Sequence, residues 1–299
     1  MNRYNGTDFY VFRPVKDDKN SLYNNNIGTI CGDKQGHIYI RCKYAVVEYD
    51  IKKNTFHTIR DNDIQAISYG NTQLWVCTRD SLFTYNRVED KLDYYYNLEG
   101  ARMSCVIEDS DGNLYVGTMN NGLYMIDGNK KWLNYLPKKD ITCIYEDSKK
   151  SIWVGTKDDG LFRLDRNGGI TNYGTAPHQN MLSSSYVRCI VEDNLGNYWI
   201  GTFKGLDKLD VTTGTFTHYS KDNKPYSLSN SSIICMMKDR QGTFWIGTYY
   251  GGVNLFNPDY EIYTYYYPDE AQKGKLTSPF AGRMTEDSNG GIWIATEGG

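Results

Sequence analysis

Residues 189–210 read CIVEDNLGNYWIGTFKGLDKLD, and variants of this phrase recur along the 299-residue chain. An apolar run leads to an acidic pair, a turn with glycine follows, and an aromatic segment then ends in Gly-Thr. Seven copies align on the aromatic residue, with spacings of 36 to 48 residues. The aromatic positions are Tyr39, Trp75, Tyr115, Trp153, Trp199, Trp245 and Trp293.

Each copy has the pattern of an antiparallel meander of four strands, which we label a to d. Strand a is the apolar run, and an Asp-x-x-Gly turn leads into strand b, which carries the aromatic residue. A glycine-containing loop leads to strand c, and strand d is rich in tyrosine, as at 263–267. Seven such meanders predict an all-β fold, a seven-bladed β-propeller of four-stranded antiparallel blades.

The two ends of the chain complement each other. The last copy stops after strand b, whereas residues 1–13 have the pattern of strands c and d. We therefore expect the N-terminal strands to pair with the C-terminal blade and close the ring, which also removes two exposed sheet edges. The whole of 1–299 is predicted to be one propeller domain. Its blades are expected at about 27–60, 61–98, 101–137, 140–175, 184–220, 231–267, and 281–299 plus 1–13.

Composition and charge argue against several function classes. The net charge is −3, with 23% charged and 39% hydrophobic residues, so no surface for nucleic acid is indicated. No apolar run approaches the roughly 20 residues of a membrane span, so we expect no membrane contact by this segment. The chain begins without a signal-peptide core, which leaves either a cytosolic protein or a segment of a longer secreted chain.

Several motifs suggest chemistry but fit the repeat better. The segment 109–113 resembles the start of a calcium loop, yet position 12 of that loop is Asn120 and not glutamate. Seven cysteines cannot all pair internally, and four of them share one position of strand a, where a small residue suits close packing around the axis. These four are Cys105, Cys143, Cys189 and Cys235.

No catalytic group is indicated either. The histidines show no metal-ligand spacing, and the Glu-Asp pairs recur in four blades, which marks them as repeat structure. Tyrosine clusters at 94–96 and 265–267 lie on strand d and are expected to cover the blade flanks. We therefore expect no metal, no cofactor and no catalytic residue. The four histidines are His37, His57, His178 and His218.

These motifs carry a resemblance to a known family. Residues 190–210 match the pattern Ile-x-Glu-Asp-x-x-Gly-Asn-x-Trp-Ile-Gly-Thr-x-x-Gly-Leu-x-x-Leu-Asp, which resembles the two-component regulator propeller repeat, and the lead-in at 227–230 is also similar. Three copies depart from it, and we expect this to weaken single turns but not the ring. The first has Arg41-Cys42 for Gly-Thr, the second has Cys77 for glycine and no acidic pair, and the fourth has Lys149-Lys150 in its turn.

The resemblance implies the periplasmic sensor region of a Bacteroides-type hybrid two-component histidine kinase, notably one tied to polysaccharide use. It implies a non-catalytic domain with an oligosaccharide as ligand. It also implies a neighbouring propeller and an immunoglobulin-like domain in the same chain. The full-length receptor is expected to form a dimer and to carry its kinase elsewhere.

The b–c and d–a loops of such blades form one face of the ring, here called the loop face, and the a–b and c–d turns form the opposite turn face. Residues that depart from the repeat on the loop face are the ligand-binding candidates, because arginine and aromatic rings suit an acidic or neutral oligosaccharide. The d–a loops at 14–26, 173–185, 220–231 and 268–281 are long, so half of this face should be raised. The candidates are Arg79, Lys157, Lys204, Tyr249 and Tyr250 in b–c loops, and Arg188 and Arg283 on strand a.

Three functions stay open at this point: a ligand-sensing or scaffold propeller, a protein–protein interaction platform, and a propeller lyase or glycoside hydrolase. A cluster of His, Glu or Arg that departs from the repeat on the loop face would favour an enzyme. The sequence shows two arginines there without a His or Glu partner at comparable positions, which favours the sensor.

Overall fold

The computed structural model describes residues 1–174, 180–222, 227–258, 262–266, 276 and 278–297. His178, Tyr267 and the last two residues of the expected seventh blade lie outside these ranges. The described residues form seven antiparallel sheets of four strands each, so the predicted seven-bladed propeller is confirmed. No helix in this part of the chain is long and apolar enough to cross a membrane.

The strands are numbered in chain order, and the first two, β1 (Asn2–Tyr4) and β2 (Phe9–Val11), belong to the last blade. Blade 1 consists of β3 (Ile27–Gly32), β4 (His37–Cys42), β5 (Ala45–Asp50) and β6 (Thr55–Arg60). Blade 2 consists of β7 (Ala66–Tyr69), β8 (Leu74–Cys77), β9 (Ser81–Asn86) and β10 (Lys91–Asn97). Blade 3 consists of β11 (Met103–Glu108), β12 (Leu114–Thr118), β13 (Leu123–Ile126) and β14 (Trp132–Tyr135).

The second half of the chain supplies the other four blades. Blade 4 consists of β15 (Ile141–Glu146), β16 (Ile152–Thr156), β17 (Leu161–Leu164) and β18 (Ile170–Tyr173). Blade 5 consists of β19 (Val187–Glu192), β20 (Tyr198–Thr202), β21 (Leu206–Leu209) and β22 (Phe216–Tyr219). Blade 6 consists of β23 (Ile233–Lys238), β24 (Phe244–Thr248), β25 (Gly252–Asn257) and β26 (Ile262–Tyr266). Blade 7 consists of β27 (Ala281–Glu286), β28 (Ile292–Thr296), β1 and β2.

The ring closes through the N-terminal strands, as predicted. Strand β1 pairs with β28, with Asn2 opposite Ile294 and Tyr4 opposite Ile292. The side-chain amide of Asn2 donates to Thr296 Oγ1 at 2.7 Å, and both residues are fully buried. The first strands of successive blades contact one another all around the ring, so strand a of each blade lines the central channel.

The Glu-Asp pairs join turns and blades. In blade 4, the backbone amide of Ser151 and the indole of Trp153 donate to the two carboxylate oxygens of Asp147, at 2.7 and 2.9 Å. The glutamate of the next pair, Glu192, accepts hydrogen bonds from the backbone amide and the hydroxyl of Ser148 in blade 4. The acidic pairs therefore have structural partners, as the repeat indicates. The same indole–carboxylate bond recurs at Trp199, Trp245 and Trp293.

Blade 2 shows how a copy without the acidic pair is completed. Trp75 donates its indole N–H to Glu108 of blade 3 at 2.8 Å, and the backbone amide of Asn71 donates to the same carboxylate at 3.1 Å. On the flank, Tyr95 packs edge-on against Trp75 with ring centroids 4.8 Å apart, whereas Tyr94 is 64% exposed. A departure in one turn is thus offset by the neighbouring blade.

The d–a loops divide the ring into two halves. Blades 2, 3 and 4 are entered by the short connections 61–65, 98–102 and 136–140, whereas 12–26, 174–186, 220–232 and 267–280 are long. Each long loop places a leucine in the core, at most 6% exposed, just before strand a. These anchors are Leu22, Leu182, Leu228 and Leu276. The long loops therefore enter the contiguous blades 5, 6, 7 and 1.

The residue after this leucine is held from strand c. In blade 5, the backbone amide and the hydroxyl of Ser183 donate to the buried carboxylate of Asp207, at 2.8 and 2.9 Å. In blade 6, Asn254 takes the same place. It accepts from the backbone amide of Ser229 at 3.0 Å and donates to that residue's hydroxyl at 2.8 Å. An acid and an amide therefore serve the same structural purpose.

We expect Asp207→Asn to raise the melting temperature by a few degrees at about pH 8. Burial raises the pKa of Asp207, although hydrogen bonds from His218 and Ser183 oppose the shift. A carboxyl whose pKa is higher in the folded state disfavours folding when it is ionised. That penalty is complete above the folded pKa and fades as the pH falls through it, towards the ordinary value of 3.8.

The native amide Asn254 provides the precedent, because it holds Ser229 without a charge. Thermal melts of both proteins between about pH 4 and pH 8 should show the gain of the variant shrinking on acidification. A variant less stable than the native protein at about pH 8 would contradict the expectation. His218→Gln serves as the control, because it tests whether the opposing hydrogen bond from His218 sets the result.

Candidate functional site

A β-bulge near the start of strand a brings one residue of most blades to the mouth of the channel. In blades 1, 3, 4, 5 and 6 the register of strands a and b skips one residue, and in blade 7 the shift spans Gly282 and Arg283. Bulges re-aim side chains and are frequent beside functional sites. The bulged residues of the five blades are Gly28, Ser104, Thr142, Arg188 and Ile234.

A cavity of about 500 Å³, here called the mouth cavity, opens where the channel meets the loop face. The bulged residues of blades 1, 4, 5 and 6 line it, together with Gly282 and Arg283 of blade 7. Except for Thr142, its walls belong to blades 5, 6, 7 and 1, which are the blades entered by long loops. The other lining residues are Asn26, Ile27, Tyr186, Tyr249, Phe280 and Glu297.

Arg188 is fixed within an aromatic setting. Its guanidinium carbon lies 4.5 Å from the ring centroid of Tyr186 and 5.1 Å from that of Phe203, and the two rings are nearly parallel. Its Nη1 donates to Ser232 Oγ at 2.9 Å and to the carbonyl of Ile233 at 3.1 Å. Among the described residues, none accepts from Nε or Nη2. The side chain is therefore held in one orientation, and its Nε and Nη2 donors are available for a ligand.

A second group of rings borders the cavity from blades 6 and 7. Tyr249 and Tyr250 meet edge to face with centroids 4.4 Å apart, and Phe280 lies 5.5 Å from Tyr249. Tyr249 is 44% exposed and Tyr250 is 64% exposed. Tyr250 has a φ of 54°, so the tip of this b–c loop is a tight left-handed turn. On the side formed by blades 6 and 7, the mouth therefore exposes aromatic rings to solvent.

Arg283 lies deeper on the axis, at the strand-a position that cysteine occupies in blades 3 to 6. It lines both the mouth cavity and a second cavity of about 210 Å³ beneath it, here called the inner cavity. Its side chain is half-buried. Within the described part of the chain, its guanidinium has no hydrogen-bond acceptor and no carboxylate partner.

Arg41 adds a further cation beside this mouth. It replaces the glycine of Gly-Thr, and its guanidinium lies over Gly28, so closely that a Cβ at Gly28 would collide with it. Its Nη1 donates to the carbonyl of Lys43 at 2.9 Å, whereas its Nε is buried without a partner. Burial lowers the pKa of Arg41, and the charge of Arg283 lowers it further.

The inner cavity is lined in part by the thiols of Cys105, Cys143 and Cys235. Burial raises the pKa of Cys143 and of Cys235 to about 12, so these thiols stay protonated and unreactive. All seven cysteines are free, and no group of three or more His, Cys, Asp or Glu among the described residues could hold a metal ion. In blade 3, a Cβ at Gly117 would lie 2.6 Å from Cys105 Sγ, which shows how tightly this layer packs.

The structure brings three of the seven sequence-predicted residues to the mouth cavity, namely Arg188, Tyr249 and Arg283. Tyr250 stands beside Tyr249 without lining the cavity. The other three, Arg79, Lys157 and Lys204, are exposed b–c loop residues further out on the rim.

Sequence reasoning missed five residues at or beside this mouth. The aromatic three lie in loops of variable sequence, where no pattern marks them. Arg41 could have been found, because it replaces the glycine of Gly-Thr, but on the sequence alone this replacement indicates only a weaker turn. Glu297 is the residue directly after the last Thr of the repeat, and it places a carboxylate beside the arginines. The missed residues are Tyr186, Phe203, Phe280, Arg41 and Glu297.

Four segments of the chain match the family model described as two component regulator propeller, at 97–120, 135–158, 181–204 and 227–250. They comprise strands a and b of blades 3 to 6. These four segments therefore match the two component regulator propeller repeat, as the sequence pattern indicates. No curated protein matches it.

Solved structures share the fold. The extracellular domain described for a hybrid two component system of B. thetaiotaomicron is 21% identical with a TM-score of 0.79, over 97% of this chain and 41% of that one. That of a one component system from the same organism is 18% identical with a TM-score of 0.68, over 98% and 46%. This chain thus spans less than half the length of both proteins.

The fold is also that of an enzyme. A catalytically inactive histidine-to-alanine variant of virginiamycin B lyase from Staphylococcus aureus, with quinupristin, is 15% identical with a TM-score of 0.70, over 92% of this chain and 94% of the lyase. In the present chain, the histidines that the structure describes bond to Asp33, Asp90 and Asp207, and none of them lines the mouth cavity.

Proposed function

We propose that this propeller is the non-catalytic, ligand-sensing domain of a periplasmic receptor in a hybrid two-component system, and that its ligand is an oligosaccharide from polysaccharide breakdown. The mouth cavity carries the proposal. It is a concave site on the axis, formed by residues that depart from the repeat, within a domain of which four blades match this family's repeat. Extracellular domains of a hybrid two component system and of a one component system share the fold, which supports the receptor context.

The chemistry of the mouth supports a sugar as ligand. Sugar rings have apolar C–H faces that pack on aromatic rings, and hydroxyls that accept hydrogen bonds. Phe203 and Tyr249 offer exposed rings, and Arg188 is ordered beside the stacked rings of Tyr186 and Phe203 with unused donors. Because the arginine is already ordered, little side-chain entropy is lost when a ligand binds. A cavity of about 500 Å³ also lies in the size range of small-molecule sites.

The rest of the receptor is proposed from the family. We propose a neighbouring propeller and an immunoglobulin-like domain in the same chain, a dimeric receptor, and a histidine kinase elsewhere in the protein. The blades entered by long loops, 5, 6, 7 and 1, supply most of the residues that line the mouth cavity, and part of this side of the loop face is proposed to contact the next domain. Such a contact would let occupancy of the mouth change the position of a neighbour.

The test is titration calorimetry and thermal melting with a panel of plant and host oligosaccharides. A ligand at about 100 times its Kd should stabilise the domain by about 2.7 kcal/mol. Arg188→Ala and Tyr249→Ala should each weaken binding by about tenfold or more, since each removes a charged or aromatic contact. Leu195→Ala is the matched control, because Leu195 is 74% exposed on the turn face.

Binding that survives both mouth variants but is lost in Leu195→Ala would show that the ligand binds on the turn face and not on the loop face. If no saccharide binds to the native domain, the protein–protein platform replaces the sensor. A lyase is the second candidate, favoured by Glu297 beside the arginines and by the fold shared with virginiamycin B lyase. Saccharide or quinupristin turnover that disappears in Glu297→Gln would establish that enzyme in place of the sensor.

A further inference from the structure

The mouth cavity has an excess of positive charge, because Arg188 and Arg283 line it and Arg41 lies beside it over Gly28. Several arginines elsewhere are paired, as Arg87 is with Glu48 and Arg166 with Asp111, both at 2.9 Å, and others such as Arg79 and Arg102 are exposed to solvent. Arg41, Arg188 and Arg283 form no such ion pair with any described residue. Glu297 is the single carboxylate among the described lining residues, and it is exposed.

Two of these cations lie where an unpaired charge is unfavourable. Arg283 is half-buried at the floor of the mouth cavity, and the Nε of Arg41 is buried without a partner. Removing a charge from water without a counter-ion costs free energy, and a bound anion would offset that cost. The same pair of charges would be repulsive in an empty site, and burial together with the charge of Arg283 lowers the pKa of Arg41.

The local sequence of blade 1 also makes room for the arginine. Blades 3 to 6 place glycine on strand b opposite cysteine on strand a, and no space is left between them. Blade 1 has the large residue on strand b, Arg41, and the glycine at the bulge of strand a, Gly28. Any side chain at Gly28 would collide with the guanidinium. With glycine on strand a and arginine on strand b, the Arg41 side chain lies over Gly28 at the edge of the mouth cavity.

We propose that the mouth cavity selects acidic saccharides, and that the carboxylate or sulfate group of the ligand lies between Arg283 and Arg41. This inference rests on the proposed function and narrows its ligand class. The forked guanidinium donors match the oxygens of such anions, as they do in arginine–carboxylate pairs. Arg188 and Tyr249 then contact the sugar ring itself, because they line the wall and not the floor.

The test compares acidic and neutral saccharides of the same size. Digalacturonic and cellobiouronic acids supply carboxylates, with galactobiose and cellobiose as their neutral partners. Galactose 6-sulfate supplies a sulfate ester, with galactose as its neutral partner, and inorganic sulfate is the bare anion. Calorimetry on the whole chain should show that at least one acidic saccharide binds about tenfold more tightly than its neutral partner. That preference should decline with added salt, since charge attraction is screened.

Arg283→Gln and Arg41→Gln should each remove the preference, with acidic binding weakened about tenfold and neutral binding unchanged. Arg102→Gln is the matched control, because Arg102 is exposed on the same face outside the mouth cavity. Arg283→Lys keeps the charge without the fork, so it should retain part of the preference and serve if the glutamine variant does not fold.

Each outcome separates the two proposals. Equal binding of acidic and neutral saccharides would overturn the charge selection and leave the sensor intact. Binding of inorganic sulfate alone would overturn the saccharide assignment. Failure of every saccharide, acidic and neutral, would overturn the proposed function as well.

Discussion

Deletion of residues 1–13 is expected to abolish cooperative unfolding or to lower the melting temperature by more than about 10 °C. These residues supply β1 and β2, so their loss opens the edge of β28 and exposes the buried Trp293 and Ile294. The side chains of Met1 and Phe9 are themselves at most 5% exposed, and each contributes about 1.5–3 kcal/mol by burial. Domains of this kind are stable by only about 5–15 kcal/mol, so the loss is a large fraction.

The measurement is scanning calorimetry of the native chain and of the chain that starts at residue 14. A synthetic peptide of residues 1–13, added in excess, should restore much of the stability by occupying the open edge of β28. A scrambled peptide of the same composition is the control and should have no effect. An unchanged melting temperature after the deletion would show that the N-terminal strands do not close the ring.

The ring could be predicted from the sequence because its signal is repeated. All seven copies have an aromatic residue on strand b, and most of them also have an Asp-x-x-Gly turn before it and Gly-Thr after it. A weak copy, such as the one around Trp75, can be recognised because the six other copies fix its alignment. The structure gives the physical reason, since one carboxylate such as Asp147 holds both the turn and the indole of the following strand.

The position of the mouth cavity could be predicted from the sequence, but the full set of residues that line it could not. Its position follows from topology, and the departures Arg188 and Arg283 point to it. Its members, however, come from blades far apart in the chain, and the loops that supply Phe203 and Phe280 follow no pattern. The bulge that sets Arg188 at the mouth has no sequence mark of its own, because a single extra residue in strand a cannot be recognised until strand b is aligned with it.

A large residue on strand b can be accommodated by a glycine on the adjacent strand a, and this explains one departure from the repeat. From the sequence, Arg41 is expected to weaken a turn, but it lies on strand b opposite Thr29 and its guanidinium lies over the bulged Gly28, which leaves it the necessary space. Blade 7 shows the same arrangement on a smaller scale, because Ala295 faces Gly282, where an added Cβ would be 3.4 Å from that of Ala295. Such pairs are visible only when both strands are considered together.

Replacement of the marker aromatic itself is the second large effect, and Trp153→Ala should cost about 3–5 kcal/mol of unfolding free energy from the lost packing alone. Trp153 is fully buried, its centroid lies 4.2 Å from that of Tyr198, and its indole donates to Asp147 at 2.9 Å. Its removal leaves a cavity between blades 4 and 5. It also leaves the Asp147 carboxylate with fewer donors, a further loss of about 1–3 kcal/mol.

Urea unfolding of Trp153→Ala, Trp153→Phe and Trp132→Ala separates these contributions. Trp153→Phe keeps a ring but no N–H, so its cost should be intermediate. Trp132→Ala is the control of the same residue type, because Trp132 is 51% exposed on strand d, and it should cost less than about 1 kcal/mol. If the two alanine variants unfold at the same urea concentration, the aromatic residue by which the seven copies were aligned does not stabilise its blade. The link from repeat pattern to fold would then rest on the turns alone.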